Sequence, residues 1–158
     1  MENEAIFIFE AEDFLMRQSK ILALDMQINT QTIYIAFCGR RDKYSDDLYR
    51  YLRKLGYDDA ILKESGLVSI DEVRGGHDKF WNRVMFPIMD INNKVIGFGG
   101  RVMGEGEPKY LNSPETPIFE KNRNLYGMHV AKRNRKPYFL ICEGYMDVIS
   151  LHQAGFTN

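Results

Sequence analysis

Cysteine and histidine are scarce in this chain, which has two cysteines, Cys38 and Cys142, and three histidines in 158 residues. No CxxC pair and no Cys/His spacing of the metal-finger kind occurs, which argues against a structural zinc site and for a reducing compartment. Long apolar runs are missing as well. Stretches such as "AIFIF" and "YFLIC" fall well short of a bilayer's width, and no basic leader precedes a long apolar segment. Neither a membrane span nor a signal peptide is therefore expected, and a soluble, cytoplasmic protein is. Nor is the chain poor in core-forming residues: 44% are hydrophobic and 13% aromatic, enough to bury a real core in one domain or slightly more and to exclude disorder.

Net charge is also almost absent, at −1, but its distribution is uneven. Residues 79–136 hold eleven Lys/Arg against five Asp/Glu, while the remainder holds ten against seventeen. The basic residues are interleaved with Tyr, Phe, Asn and Gly, the mixture of a surface that follows a phosphate backbone. "KNRN" and "AKRNRK" read equally well as solvated turns and a helix end.

Local signals place the first elements. "YSDDLYRYLRKLGY" predicts a helix with Ser45 as N-cap, Leu48, Tyr51, Leu52 and Leu55 at helical spacing, and Gly56 as its stop. "DDAILKESGLV" predicts a second, short helix capped by Asp58 or Asp59 and ended by Gly66. The period then changes, and "RVMFPIMDINNKVIGFGGRV" predicts a β-hairpin with strands at 84–89 and 94–101 and a turn at 90–93. "MGEGEPKYLNSPETPIFEKNRNLYG" has little periodicity and is too long for a casual connection. "LYGMHVAKR" reads as helical, and "KPYFLICEGYMDVISLHQAGF" as strand, sharp turn and helix with Gly155 as C-cap. Met85, Met89, Met103 and Met146 read as core filler, and His77, His129 and His152 as packing or surface imidazoles.

The last junction carries two acids, Glu143 and Asp147, around Gly144. In open α/β sheets ligand groups gather at the carboxyl ends of strands, and oxygen donors there suit Mg²⁺ held by one or two carboxylates plus substrate phosphates. Asp147 is equally a helix N-terminal acid favoured by the dipole, and Glu143 equally a surface residue.

"RVMFPIMDINNKVIGFGGRVMGEGEPKYLNSPETPIFEKNRNLYG" followed by "ICEGYMDVISLHQAGF" closely resembles the catalytic core of bacterial DnaG-type DNA primases, over roughly residues 42–158. "FGGR", "PKYLNSPET" and "LYG" in that order, with "EGYMDV" at the family's distance, carry the resemblance. It implies an α+β (mixed α/β) fold: a basic N-terminal primase-core subdomain over 42–136, then, over 137–158, the first strand-turn-helix of a Toprim domain. By the same resemblance Glu143 corresponds to the Toprim glutamate, a metal ligand or acid/base, and Asp147 to its second acid. Lys109 corresponds to the lysine that faces the active site and incoming nucleotide. Arg101 and Arg83 resemble basic residues of the same cleft, completed by Tyr110, Asn112 and Ser113.

The implied activity is template-directed synthesis of short RNA primers by a nucleotidyltransferase using Mg²⁺ or Mn²⁺. Single-stranded DNA template, ribonucleoside triphosphates and RNA primer are the implied partners, with the replicative helicase engaged through a C-terminal domain and zinc confined to an N-terminal module. The chemistry needs these residue types: carboxylates hold the ions that activate a 3′-hydroxyl, and Arg and Lys neutralise phosphates. A non-catalytic nucleic-acid-binding module or a phage-type helicase-primase Toprim fragment is the alternative, and "PKYLNSPET" favours the bacterial class.

Departures from the family pattern are equally specific. The later Asp-x-Asp pair of Toprim domains, the zinc module and the helicase-binding domain do not occur in these residues, so the segment is expected to be inert by itself. "KFWNR" stands where the family has "RFRNR", placing Trp81 at an arginine position where an indole can stack on a base. Residues 1–41 form an atypical N-terminal segment. Within it, 18–40 lack the family's "FGxGYA" and are read as a frame disruption.

Overall fold

The computed structural model describes residues 46–158. Ser45 and the atypical segment 1–41 lie outside the described residues. The chain runs through helices α1 (Asp47–Lys54) and α2 (Asp59–Glu64) and strands β1 (Val68–Asp71), β2 (Gly75–Asp78), β3 (Arg83–Met89), β4 (Val95–Val102) and β5 (Tyr110–Asn112). A 3₁₀ turn (Lys121–Arg123), the single-turn helix α3 (Met128–Ala131) and α4 (Tyr145–Gln153) complete it.

Helix α1 buries Leu48 and Leu52, one turn apart, as the spacing predicted, but leaves Leu55 exposed. Asp46 occupies the N-cap position without capping through its side chain. The orphan amides of Leu48 and Tyr49 instead donate to the buried Asp78 carboxylate, at 3.0 and 2.9 Å, from 30 residues away. At the other end Gly56 adopts φ +98°, and the amides of Gly56 and Tyr57 donate to the carbonyls of Arg53 and Leu52. This is the glycine-terminated closure that satisfies the last turn. In α2, Asp58 is the cap and accepts from the Ile61 amide at 2.9 Å.

A hairpin that sequence reading passed over follows. β1 and β2 pair antiparallel, Val68 opposite Asp78 through Asp71 opposite Gly75. The turn is set by Asp71, whose Oδ1 accepts the amides of Val73 and Arg74, contacts that also hold its carboxyl below the ordinary carboxylate range.

The predicted hairpin at 84–101 is present as β3 and β4, with β5 added from within the expected long loop, giving the antiparallel order β3-β4-β5. Asp90 organises the β3–β4 turn by accepting the amides of Asn92 and Lys94. Strand alternation divides this sheet into two faces. Met85 and Phe98 point into a core with Leu48, Leu52, Leu62, Leu67, Val68 and Phe80, beneath the helices and the first hairpin. The opposite face carries Phe86, Gly99 and Asn112 in one rung and Val84, Arg101 and Tyr110 in the next. It is covered by a smaller cluster of Ile88, Ile96 and Phe119 against Tyr126 and Tyr145.

Two expectations require correction. The strand predicted at 138–142 is not formed: these residues have no ladder partners among the described residues, and Ile141 is 85% exposed. An apolar run becomes a strand only where another strand supplies its hydrogen bonds, and here the Leu140 amide donates to the Asn158 carbonyl alone. Second, Met85 is core, but Met103 and Met146 are exposed. The helix that follows is as expected, with Gly155 at φ +91° just past its last turn.

Candidate nucleic-acid and nucleotide site

The residues of interest converge where the N-terminus of α4 meets the second face of the sheet. Tyr145, the first residue of α4, lays its ring on Gly99: a Cβ there would sit 2.5 Å from Tyr145 Cε2, so only glycine admits the ring. The ring stacks on Phe86 at 5.9 Å between centroids and tilts against Tyr126 at 4.6 Å. Its hydroxyl donates to Asn112 Oδ1 at 2.8 Å. Burial raises the Tyr145 hydroxyl pKa, and burial together with Tyr145 pushes that of Tyr126 up to about 12, so both remain protonated donors at neutral pH.

That contact joins the two sequence-predicted halves. Glu143 is exposed, two residues before Tyr145; Lys109 is exposed, three residues before Asn112. One rung along, Arg101 pairs with Tyr110, and its guanidinium carbon lies 5.5 Å from the Tyr110 ring centroid, a cation–π contact. Arg101, Tyr110 and Asn112 thus share the face on which α4 docks.

Other predicted residues are placed differently. Arg83 is buried, 6% exposed, and strand alternation puts it on the opposite face from Arg101; the structure does not bring the two together. Arg83 Nη1 donates to the carbonyls of Pro108 at 2.8 Å and Gly100 at 3.4 Å, tying the segment before Lys109 to β4. Ser113 is also buried; its Oγ accepts the Phe98 amide at 2.9 Å while its own amide donates to the Phe98 carbonyl. Asp147 accepts the Gly144 amide at 3.2 Å and so caps α4.

The basic run is partly committed to local structure. Lys132 and Arg133 donate to Ile91 O and Asn93 Oδ1, clamping the β3–β4 turn, and Lys136 bonds Asn158 Oδ1 and lies over the Tyr138 and Phe156 rings. Among the described residues no group of three or more His, Cys, Asp or Glu side chains is placed to hold a metal ion. The donors present, Glu143 and Asp147, are oxygen ligands whose chemistry suits a hard divalent cation completed by other groups. Sequence reasoning missed Tyr145, although it stands inside "EGYMD", and missed Gly99, although a glycine pair inside a strand signals a close approach.

Sheet, flanking helices and docked C-terminal helix define a mixed α+β unit. The family model of the DNA primase catalytic core, N-terminal domain, matches residues 18–132. The DNA primase of Clostridium acetobutylicum is 44% identical over 142 residues, 89% of this chain and 24% of that protein, and the DNA primase of Salmonella typhimurium is 52% identical over 96 residues, 60% of this chain and 16% of that protein. Among solved structures, the DnaG primase catalytic domain bound to single-stranded DNA superposes with a TM-score of 0.75 at 32% identity, over 99% of this chain and 55% of that one.

The chain belongs to the bacterial DnaG-type primase family, with residues 18–132 matching the N-terminal domain of its catalytic core. It spans about a quarter or less of the curated relatives named here. The match begins at residue 18 and so takes in 18–40, which motif reading had set outside the resemblance. No helix among the described residues is long and apolar enough to cross a membrane.

Proposed function

We propose that this chain is part of the polymerising core of a DNA primase, which makes short RNA primers on a single-stranded DNA template from ribonucleoside triphosphates. The supporting observation is the 2.8 Å Tyr145–Asn112 hydrogen bond, which ties the helix that follows Glu143 to β5, the strand bearing Tyr110 and Asn112, next to Arg101 on β4 and just after Lys109. The relative bound to single-stranded DNA favours the same reading. In it Arg101 and Lys109 neutralise phosphates, the half-exposed Tyr110 ring offers a stacking surface for a base, and Glu143 and Asp147 supply carboxylates toward Mg²⁺ or Mn²⁺. Such an ion would stabilise charge at the transferring phosphate. In this reading residues 42–136 are the basic subdomain, and 137–158 open the Toprim unit.

Two measurements test this. The 158-residue chain binds a fluorescein-labelled oligodeoxythymidylate by anisotropy; Lys109→Glu weakens binding about tenfold or more, while Glu143→Gln leaves it unchanged. In the full-length gene product Glu143→Gln abolishes primer synthesis. Retained synthesis in that variant would remove Glu143 from the reaction, and a wild-type protein that binds the strand but makes no primer would be only a binding module.

A further inference from the structure

Asn112 is exposed, yet its carboxamide is held from one side. Tyr145 Oη donates to Oδ1 at 2.8 Å, and among the described residues Nδ2 has no partner. A carboxamide free in solvent rotates between two orientations that exchange oxygen and nitrogen. With Tyr145 Oη donating to Oδ1, the carboxamide stands in one of the two. The orientation here turns both N–H groups of Nδ2 away from Tyr145, on the face that also carries Arg101 and Tyr110.

The hydroxyl in turn is fixed by more than this bond. The Tyr145 ring is wedged between Phe86 and Tyr126 and seated on Gly99, so its position is set by packing before any ligand arrives. A donor held on a rigid support loses little freedom when it binds.

Resting on the proposed function above, we propose that Tyr145 is a positioning residue: by holding Asn112 Oδ1 it presents Asn112 Nδ2 as a donor pair to a phosphate oxygen beside Arg101. That oxygen belongs either to the template strand or to a nucleotide. Tyr145 itself touches neither.

The test is a double-mutant cycle on the 158-residue chain, with affinity for labelled oligodeoxythymidylate in one arm and for ATP in the other. Tyr145→Phe keeps the ring, its stacking and its seat on Gly99, and removes only the hydroxyl. It is expected to weaken one arm about threefold to tenfold, the range of a single neutral hydrogen bond. Asn112→Ala weakens the same arm at least as much, and the double variant binds within about twofold of Asn112→Ala alone, because the hydroxyl acts only through the amide. The arm that moves identifies the source of the phosphate. Asn112→Asp supplies an independent check: it can still accept from Tyr145 but has no N–H to offer, and binding falls at least as far as in Asn112→Ala.

Tyr145→Phe binding as tightly as wild type in both arms overturns the inference, as do losses that multiply in the double variant, the behaviour of a residue that merely stabilises the fold. A wild-type chain that binds neither strand nor nucleotide removes the proposed function itself, and this inference with it.

Discussion

Replacing Gly99 by alanine adds one methyl group and probes the joint on which the site is built. The new Cβ would lie 2.5 Å from Tyr145 Cε2, 3.0 Å from Cζ and 3.2 Å from Oη, so the ring must move. Its other sides are occupied by Phe86 and Tyr126, and overpacking of this kind costs about 1 to 3 kcal/mol. Displacing the ring also lengthens the bond to Asn112, about 0.5 to 1.5 kcal/mol. In the opposite direction, alanine restricts the unfolded chain and contributes about 0.4 to 1 kcal/mol of stability where the backbone accepts it. The clash wins, and Gly99→Ala is expected to destabilise by about 2 kcal/mol.

The assay is urea denaturation followed through Trp81, the single tryptophan. The same substitution in a Tyr145→Leu background removes the rigid ring that the methyl meets. There Gly99→Ala should be neutral or slightly stabilising, an interaction of about 2 kcal/mol, well beyond the roughly 0.5 kcal/mol within which independent sites add. An equal cost in both backgrounds would place the penalty in the strand itself and refute the joint. Gly97, whose added Cβ would meet Phe119 at a milder 3.1 Å, should tolerate alanine better than Gly99.

Three further outcomes follow from the same contacts. Arg83→Met leaves the carbonyls of Pro108 and Gly100 without their guanidinium donor and should cost about 1 to 3 kcal/mol by urea denaturation, whereas an arginine serving only an external ligand would cost less than about 0.5. Asp78→Ala frees the Leu48 and Tyr49 amides and should cost about 2 to 3 kcal/mol with loss of helical circular dichroism; an unchanged spectrum and midpoint would show that α1 needs no cap from β2. Burial, with Tyr145 beside it, raises the folded-state Tyr126 pKa to about 12 against an ordinary 10.0, so above pH 10 the unfolded chain holds fewer protons than the folded one. Stability is then lost as pH rises from 10 toward 12, by about 2 to 3 kcal/mol, and Tyr126→Phe should flatten that decline in denaturation midpoints.

What was legible in the sequence was local. Helices α1 and α2, the β3–β4 hairpin and the glycine stops at 56, 66 and 155 each follow from signals within a turn or two of the residue concerned. Partners distant in sequence leave no such mark. β5 is three residues whose only claim to be a strand is that β4 lies alongside, and the cap of α1 comes from Asp78, a residue that by itself is one more acid after a glycine pair. The run at 138–142 fails in the converse way: its composition is that of a strand, but composition supplies no neighbour.

The candidate site shows both effects at once. Its charged members were legible because their types announce their chemistry, and the "EGYMD" acids and the lysine of "PKYLNS" could be singled out by spacing and resemblance. The residue that joins them could not, because a tyrosine between two acids has no distinctive pattern until Gly99, 46 positions earlier, is found beneath its ring. Arg83 and Ser113 show the reverse: polar residues that read as ligand contacts donate to or accept from the main chain of β4 and its neighbours. A buried polar group must find a partner, and the main chain is the nearest supply. Burial is therefore what separates the two sets on this chain: the half-buried Arg101 and exposed Lys109, Tyr110 and Asn112 have surface to offer a ligand, while Arg83 and Ser113 hold in place the strands that display them.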